Sequence, residues 1–286
     1  MNDLIHNSIR EPKSVQRLTR TFGQSLSALD LAEPLFSLDE NQPASAGYDL
    51  MRARNLSVLG VRRDGLVNGW VGIEDFCSGT IGECGRAFSK TSILRTTAGF
   101  EEILAHLPAA EHVFIEWLGE VGAVITRNEL QKPPMRMWLF GAITLFDTNL
   151  TWAIQKIYPD GSWQRLVSKG RFEKASTLHA QRLRRGTQCD VVDCLQIKDK
   201  TDILMHGREN LAALGIASRS EAERVTRSIE KLRNHLAHAQ ELERSDLVMA
   251  ARLASLIRVI LNAEGAQRVV ALQRAKKTTH HTAPAS

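Results

Sequence analysis

The stretch YDLMRARNLSVLGVRRDGLVNGWVGIEDF, residues 48–76, returns in altered form as EEILAHLPAAEHVFIEWLGEVGAVITRNEL, residues 101–130. A shift of 54 residues lays Leu50 on Leu104, Gly65 on Gly119, Trp70 on Val124 and Asp75 on Glu129, with no gap. Each copy has a short helical pattern, an apolar run rich in Val or Ile, a Gly turn, a second apolar run and an acidic residue opening a further helix. In the first copy Asp64-Gly65 is the pair that tight hairpins favour, because both central residues take positive φ. One such unit cannot cover both faces of its small sheet, so two copies are expected to pack together with a cleft between them.

Over about residues 30–132 this pattern resembles a tandem pair of CBS domains, the regulatory module of cystathionine-β-synthase type. The resemblance implies a cleft for an adenine nucleotide of AMP or ATP type. In the family, a Thr or Ser at the end of the second strand and an Asp three residues later contact sugar and phosphate. Those positions carry Thr126 and Glu129 in the second copy and Gly72 and Asp75 in the first. Asp75, Thr126 and Glu129 are therefore the expected nucleotide-binding residues. Glu129 is one methylene longer than the family pattern and Gly72 offers no hydroxyl, so neither copy is complete. The chemistry is direct: a carboxylate accepts two hydrogen bonds from a ribose diol, and a hydroxyl beside exposed N–H groups suits phosphate. The plainer alternative makes both acids favourable helix-start charges.

At 286 residues, with 43% apolar and 24% charged side chains, the chain is long enough for two domains with their own cores. Net charge is +5. Arg165, Lys169, Arg171, Lys174, Arg182, Arg184 and Arg185 concentrate part of that excess, opposed locally by Glu173 alone. Such a run is either a solvated helix surface or a phosphate-contacting face. Cys77, Cys84, Cys189 and Cys194 form no CxxC pair and have no His at zinc spacing, so they read as small hydrophobes rather than metal ligands or a disulfide framework. No run approaches a membrane span and MNDLIHNSIREPK has no signal core, so a soluble cytoplasmic protein is expected.

After Leu130 the period becomes helical. Pro133-Pro134 marks a junction, giving an N-terminal helical segment over 1–29, the sensing pair over 30–132, a helical bundle over 133–275 and a disordered tail over 276–286. Expected helices run from Met135 to Tyr158, from Ser168 to Arg185, around Asp190 to Ile197, behind a Ser220–Glu223 capping box, and from Ser245 to about Gln273. Thr144, Asp147 or Thr148, and Thr151 form a polar stripe on the first, either satisfied by a neighbouring helix or lining a cleft. The fold class is thus α+β: tandem CBS-like β-α repeats followed by an all-α, four-helix-type bundle.

The fourth of these helices carries KLRNHLAHAQ, residues 231–240. At about 100° per residue, Val225, Ile229, Leu232, Leu236 and Ala239 share one arc of roughly 80°, which is the core face. Asn234 and His238 then point outward, four residues apart, with Arg233 on the flank, and His235 is a bystander. Arg233-Asn234-His235-Leu236-Ala237-His238 resembles the HEPN-family motif of Arg, a polar residue and a His about five positions on. That resemblance implies a homodimeric, metal-independent endoribonuclease whose composite site takes Arg233, Asn234 and His238 from each subunit. RNA would be cut through its own 2′-OH to a 2′,3′-cyclic phosphate, and no catalytic cofactor or metal is implied. Two functions follow: a nucleotide-regulated ribonuclease, or a non-catalytic adenine-nucleotide sensor whose bundle recruits a partner.

Overall fold

The computed structural model describes residues 26–107, 110–207, 210–211 and 215–261. The N-terminal segment up to residue 25, the extension of the last helix toward Gln273 and the tail from Lys276 lie outside the described residues. The chain divides into two compact units, one ending at Trp138 and the other taking up at Leu139.

In the first unit the repeat becomes two four-stranded sheets. Strands β1 (Glu33–Pro34) and β2 (Ser37–Asp39) precede helix α1 (Ala44–Arg54) and the hairpin β3 (Val58–Arg63) and β4 (Leu66–Gly72). Helix α2 (Ile81–Cys84), β5 (Arg86–Ala87) and β6 (Ile93–Arg95) lead to helix α3 (Phe100–His106) and the hairpin β7 (His112–Trp117) and β8 (Glu120–Thr126). One sheet orders β2-β3-β4-β5 and the other β1-β8-β7-β6. The first strand therefore serves the second copy's sheet, antiparallel to β8 through Glu33↔Val124 and Pro34↔Ala123.

The repeat survives down to backbone detail. Asp64 and Gly65 have φ 52° and 86°, and Leu118 and Gly119 have φ 55° and 88°. Both turns thus take the doubly positive conformation that matches strand twist. Each hairpin also shifts register at the same place, between Val61 and Arg62 and between Ile115 and Glu116. Side-chain alternation then sends Val58, Val67 and Trp70 of one sheet and Phe114, Val121 and Val124 of the other into a shared core. On the opposite face of the first sheet, Leu59, Val61 and Val71 pack against Ala44, Met51, Ile81 and Cys84. A strand buried on both faces reads as a continuous apolar run, which is why VLGV lacks a polar alternate.

Three local expectations need correction in this unit. The acid of each copy lies within a short 3-10 turn, Ile73–Asp75 and Asn128–Gln131, and opens no longer helix. Pro133 is the first residue of helix α4 (Pro133–Ile157), where its missing N–H costs nothing. Cys77 and Cys84 are joined in a disulfide. Gly79, at φ 152°, and the Thr80 N-cap of α2 fold the intervening loop back on itself, which spacing alone does not reveal.

The second unit contains the remainder of α4, then α5 (Lys169–Arg184), a 3-10 turn at Val191–Cys194, α6 (Ile197–Leu204), α7 (Arg219–Ala237) and α8 (Arg244–Leu261). The helix expected around Asp190 to Ile197 is thus a turn followed by a separate helix. The N-cap of α7 is Ser218, which accepts from the Glu221 N–H at 3.1 Å, and not Ser220. Both S-x-x-E pairs fit the pattern, but Glu221 also binds Arg252 at 2.6 Å, which favours the earlier start. At α8 both Ser245 and Asp246 lie inside the first turn, and Asp246 reaches back to accept the Glu243 N–H at 2.8 Å. The polar stripe of α4 is satisfied: Thr144 and Thr148 donate to the Phe140 and Thr144 carbonyls, and Asp147 pairs at 2.8 Å with the fully buried Lys200.

Leu118 is 95% exposed in a left-handed conformation, so its side chain contributes strain and no burial. Leu118→Asn is expected to raise the unfolding free energy by about 1 kcal/mol and Gly119→Val to lower it by about 1–2 kcal/mol, read from urea midpoints at constant slope.

Candidate functional site

A cleft of about 690 Å³ opens in the first unit where the two hairpins end. Its wall includes Trp70, Asp75, Arg86, His112, Thr126 and Arg127. The repeat brings these together: Gly72 and Thr126 are equivalent strand ends, and a 3-10 turn follows each. In each turn the acid reaches back to cap the strand end. Asp75 Oδ2 accepts the Gly72 N–H at 3.2 Å, and Glu129 Oε2 accepts the Thr126 N–H at 2.6 Å.

The two ends then differ. Glu129 also takes the Thr126 hydroxyl at 2.5 Å, so acid and hydroxyl satisfy each other, and Glu129 is not part of the cleft wall. Asp75 has no hydroxyl at Gly72 to engage, and its other oxygen pairs with the Arg86 guanidinium. The Asp75 side chain is 18% exposed and that of Arg86 58% exposed, so the carboxylate lies inside and the cation at the mouth. Arg86 also lies over the Trp70 ring at 5.5 Å. Trp70 meets His112 edge-on, with ring centroids 4.3 Å apart. Burial holds the His112 imidazole below its ordinary 6.5; Arg86 pushes the same way, while Glu111 and Asp75 oppose.

Arg127 completes the wall in a way the sequence did not suggest. Its Nε is buried and has no hydrogen-bond partner among the described residues. A buried unpaired donor costs about 1–3 kcal/mol, so this Nε is a local cost carried by the wall of the cleft. Arg86, His112 and Arg127 lie outside the family positions, and no short spacing links them. The sign available beforehand was weak: a basic residue directly after the Thr126 strand end.

In the second unit Arg233, Asn234 and His238 are all exposed, as the helical arc requires, while Val225, Ile229 and Leu232 are buried. Helix α7 ends at Ala237, so His238 is its C-cap and its bond to Asn234 runs through the backbone, N–H to carbonyl at 3.0 Å. Ala239, past the end at φ 52°, is exposed and leaves the core arc. His235 points to a structural partner. Its Nδ1 lies 2.7 Å from Oδ2 of Asp246, which is 2% exposed, tying the end of α7 to the start of α8. Among the described residues no group of His, Cys, Asp and Glu has the makings of a metal site. Among them, too, no helix is long and apolar enough to cross a membrane.

No known family's profile matches this chain, and no curated protein does. Solved structures of CBS domains align with it over roughly the N-terminal third. The CBS domains of a transcriptional regulator from Streptococcus pneumoniae align at 20% identity and TM-score 0.33, covering 37% of this chain and 96% of that one. CBSX2 in complex with AMP aligns at 12% identity and TM-score 0.33, covering 36% and 92%. The CBS domain of a bacterial CNNM/CorC-family Mg2+ transporter in complex with ATP aligns at 10% identity and TM-score 0.33, covering 41% and 92%.

Because the folded state depresses the His112 pKa, unfolded chains take up the proton first as pH falls. Stability is therefore full above about 6.5 and declines as pH drops from there toward the folded-state pKa. Denaturant melts from pH 8 to pH 5 are expected to show this decline, and His112→Gln to remove that component.

Proposed function

We propose that this protein is an adenine-nucleotide sensor, a regulatory or interaction protein whose ligand occupies the cleft between the two hairpin ends. The observation that carries the reading is the wall itself, which sets two guanidinium-bearing side chains, Arg86 and Arg127, beside a carboxylate and an aromatic pair. A nucleotide uses each of these. Its phosphates accept from the two guanidinium groups, its ribose diol donates to Asp75, and its base finds the Trp70 and His112 rings. Thr126 lines the opposite strand end, where Glu129 holds both its hydroxyl and its N–H, so the hydroxyl donates to a phosphate only by leaving Glu129.

Calorimetric titration of the full chain with AMP and with ATP tests this. Binding of either is expected, weakened about ten-fold or more by Asp75→Ala and by Arg127→Ala, because each removes a charge-assisted hydrogen bond. Affinity unchanged by both substitutions would remove the assignment.

A second reading rests on the exposure of Arg233, Asn234 and His238 at one end of α7. In it, two chains bring these groups together over RNA. His238 serves the attack of the 2′-OH or protonates the 5′-oxygen, and Arg233 stabilises the growing phosphoryl charge. Its support is the motif and that exposure alone. RNA incubated in EDTA with wild type and with His238→Ala decides it: cleavage by the first only supports the enzyme, and no cleavage by wild type with AMP, ATP or neither ends it.

A further inference from the structure

The loop that bears the disulfide connects the two charged groups of the cleft. Cys77 follows Asp75 by two residues, and Cys84 precedes Arg86 by two. The Cys77–Cys84 bond thus draws together the segments that present the Asp75 carboxylate and the Arg86 guanidinium to each other. Besides its pairing with Asp75 and its place over Trp70, Arg86 is held by a short strand. Its strand, β5, is two residues long and pairs with β4 only through Gly69↔Ala87 and Trp70↔Arg86. It lies so close to β4 that a side chain at Gly69 would meet the Arg86 carbonyl oxygen at 2.5 Å.

The bond is placed for exchange. Cys77 is exposed, whereas Cys84 is 8% exposed within the apolar cluster of α1 and α2. Both oxidation states are accommodated. Cys84 Sγ lies 3.3 Å from the Thr80 carbonyl, an acceptor that only the reduced thiol can use, and accepts the Cys77 N–H at 3.1 Å. The other two cysteines are free thiols, and burial pushes the Cys194 thiol up, which keeps it a poor nucleophile at neutral pH.

We propose that the Cys77–Cys84 disulfide is a redox latch on the cleft: closed, it pre-sets Asp75 and Arg86 for the nucleotide, and reduced, it frees β5 and weakens binding. The proposal rests on the nucleotide reading above. In the reductive step the thiolate of a small thiol of glutathione type attacks the sulfur of Cys77, the exposed member of the pair. The protein S–S bond breaks and Cys84 leaves as a thiolate that takes a proton. A second small thiolate attacks the small-thiol sulfur of the mixed disulfide and expels Cys77 as a thiolate that takes a proton, so two small thiols supply two electrons and depart as one disulfide. Oxidation reverses each step, with the small disulfide as oxidant. A pre-set pair binds more tightly because its ordering is not charged to the ligand. Linkage then requires bound nucleotide to disfavour reduction by the factor that reduction lowers affinity.

The full-length protein is equilibrated in oxidised and reduced glutathione, and free thiols are counted in denaturant, with two expected in the latched form and four in the open form. ATP titration is expected to show affinity falling about five-fold or more on reduction, within the usual range for coupled sites. Cys77→Ser is expected to bind as the reduced protein does under both conditions. Saturating ATP should move the glutathione midpoint by the same factor. Four thiols after oxidation, or equal affinity in both forms, overturns the latch. If neither form binds ATP or AMP, the nucleotide reading itself fails, and amide exchange over residues 72–76 and 86–87 decides the latch alone. Faster exchange on reduction supports it and equal exchange overturns it.

Discussion

The exchange of one edge strand binds the repeat into a single body. β1 precedes the first copy in sequence yet closes the sheet of the second, and the Lys132 ammonium after the second copy donates to the Leu31 carbonyl at 2.8 Å and pairs with Glu33. Neither copy is complete without the other. The inward faces of both sheets share one apolar core through Val58, Trp70, Phe114 and Val124, so the two hairpin ends are fixed side by side. The cleft is a consequence. Two equivalent strand ends, each followed by a tight acidic turn, leave a gap that their own backbones line.

Within that near-symmetry a pair of substitutions sets the chemistry. Where Thr126 and Glu129 satisfy each other, the second copy's acid is taken up inside its own turn, and the charge that this end gives the cleft wall is that of Arg127. Where Gly72 stands opposite Asp75, the carboxylate has capacity left, and Arg86 takes it. The missing hydroxyl and the extra methylene, each a defect against the family pattern, thus have opposite effects. One frees an acid for outside use and the other consumes it. Buried polar groups must find partners, and which partner is nearest decides the role.

The helical unit follows a different logic. Three polar pairs fasten its helices: Lys200 with Asp147, Arg252 with Glu221 and the Gly215 carbonyl, and His235 with Asp246. Lys200 and Asp246, at 1% and 2% exposed, are the members costly to leave alone, because each would be left without water or a partner. The exposed trio Arg233, Asn234 and His238 stands apart from this set, at the end of a helix whose opposite face is committed to the core.

The sequence by itself determined what depends on local period and backbone sterics. The 54-residue repeat, the hairpin turns, the buried face of α7 and the outward placement of Arg233 and His238 all follow from spacing and from the cost of positive φ. That Gly72 and Thr126 are equivalent strand ends, each with an acid three residues on, was legible from the repeat. Only the tertiary structure decided the rest. The Cys77–Cys84 bond, the Asp75–Arg86 pair, the orphaned Arg127 and the His235–Asp246 tie each depend on where two turns bring separate segments. A few degrees of backbone rotation move such a pair from contact to several ångströms apart. Residue type and spacing do not encode that distance, since it is set by the packing of the whole core around each loop.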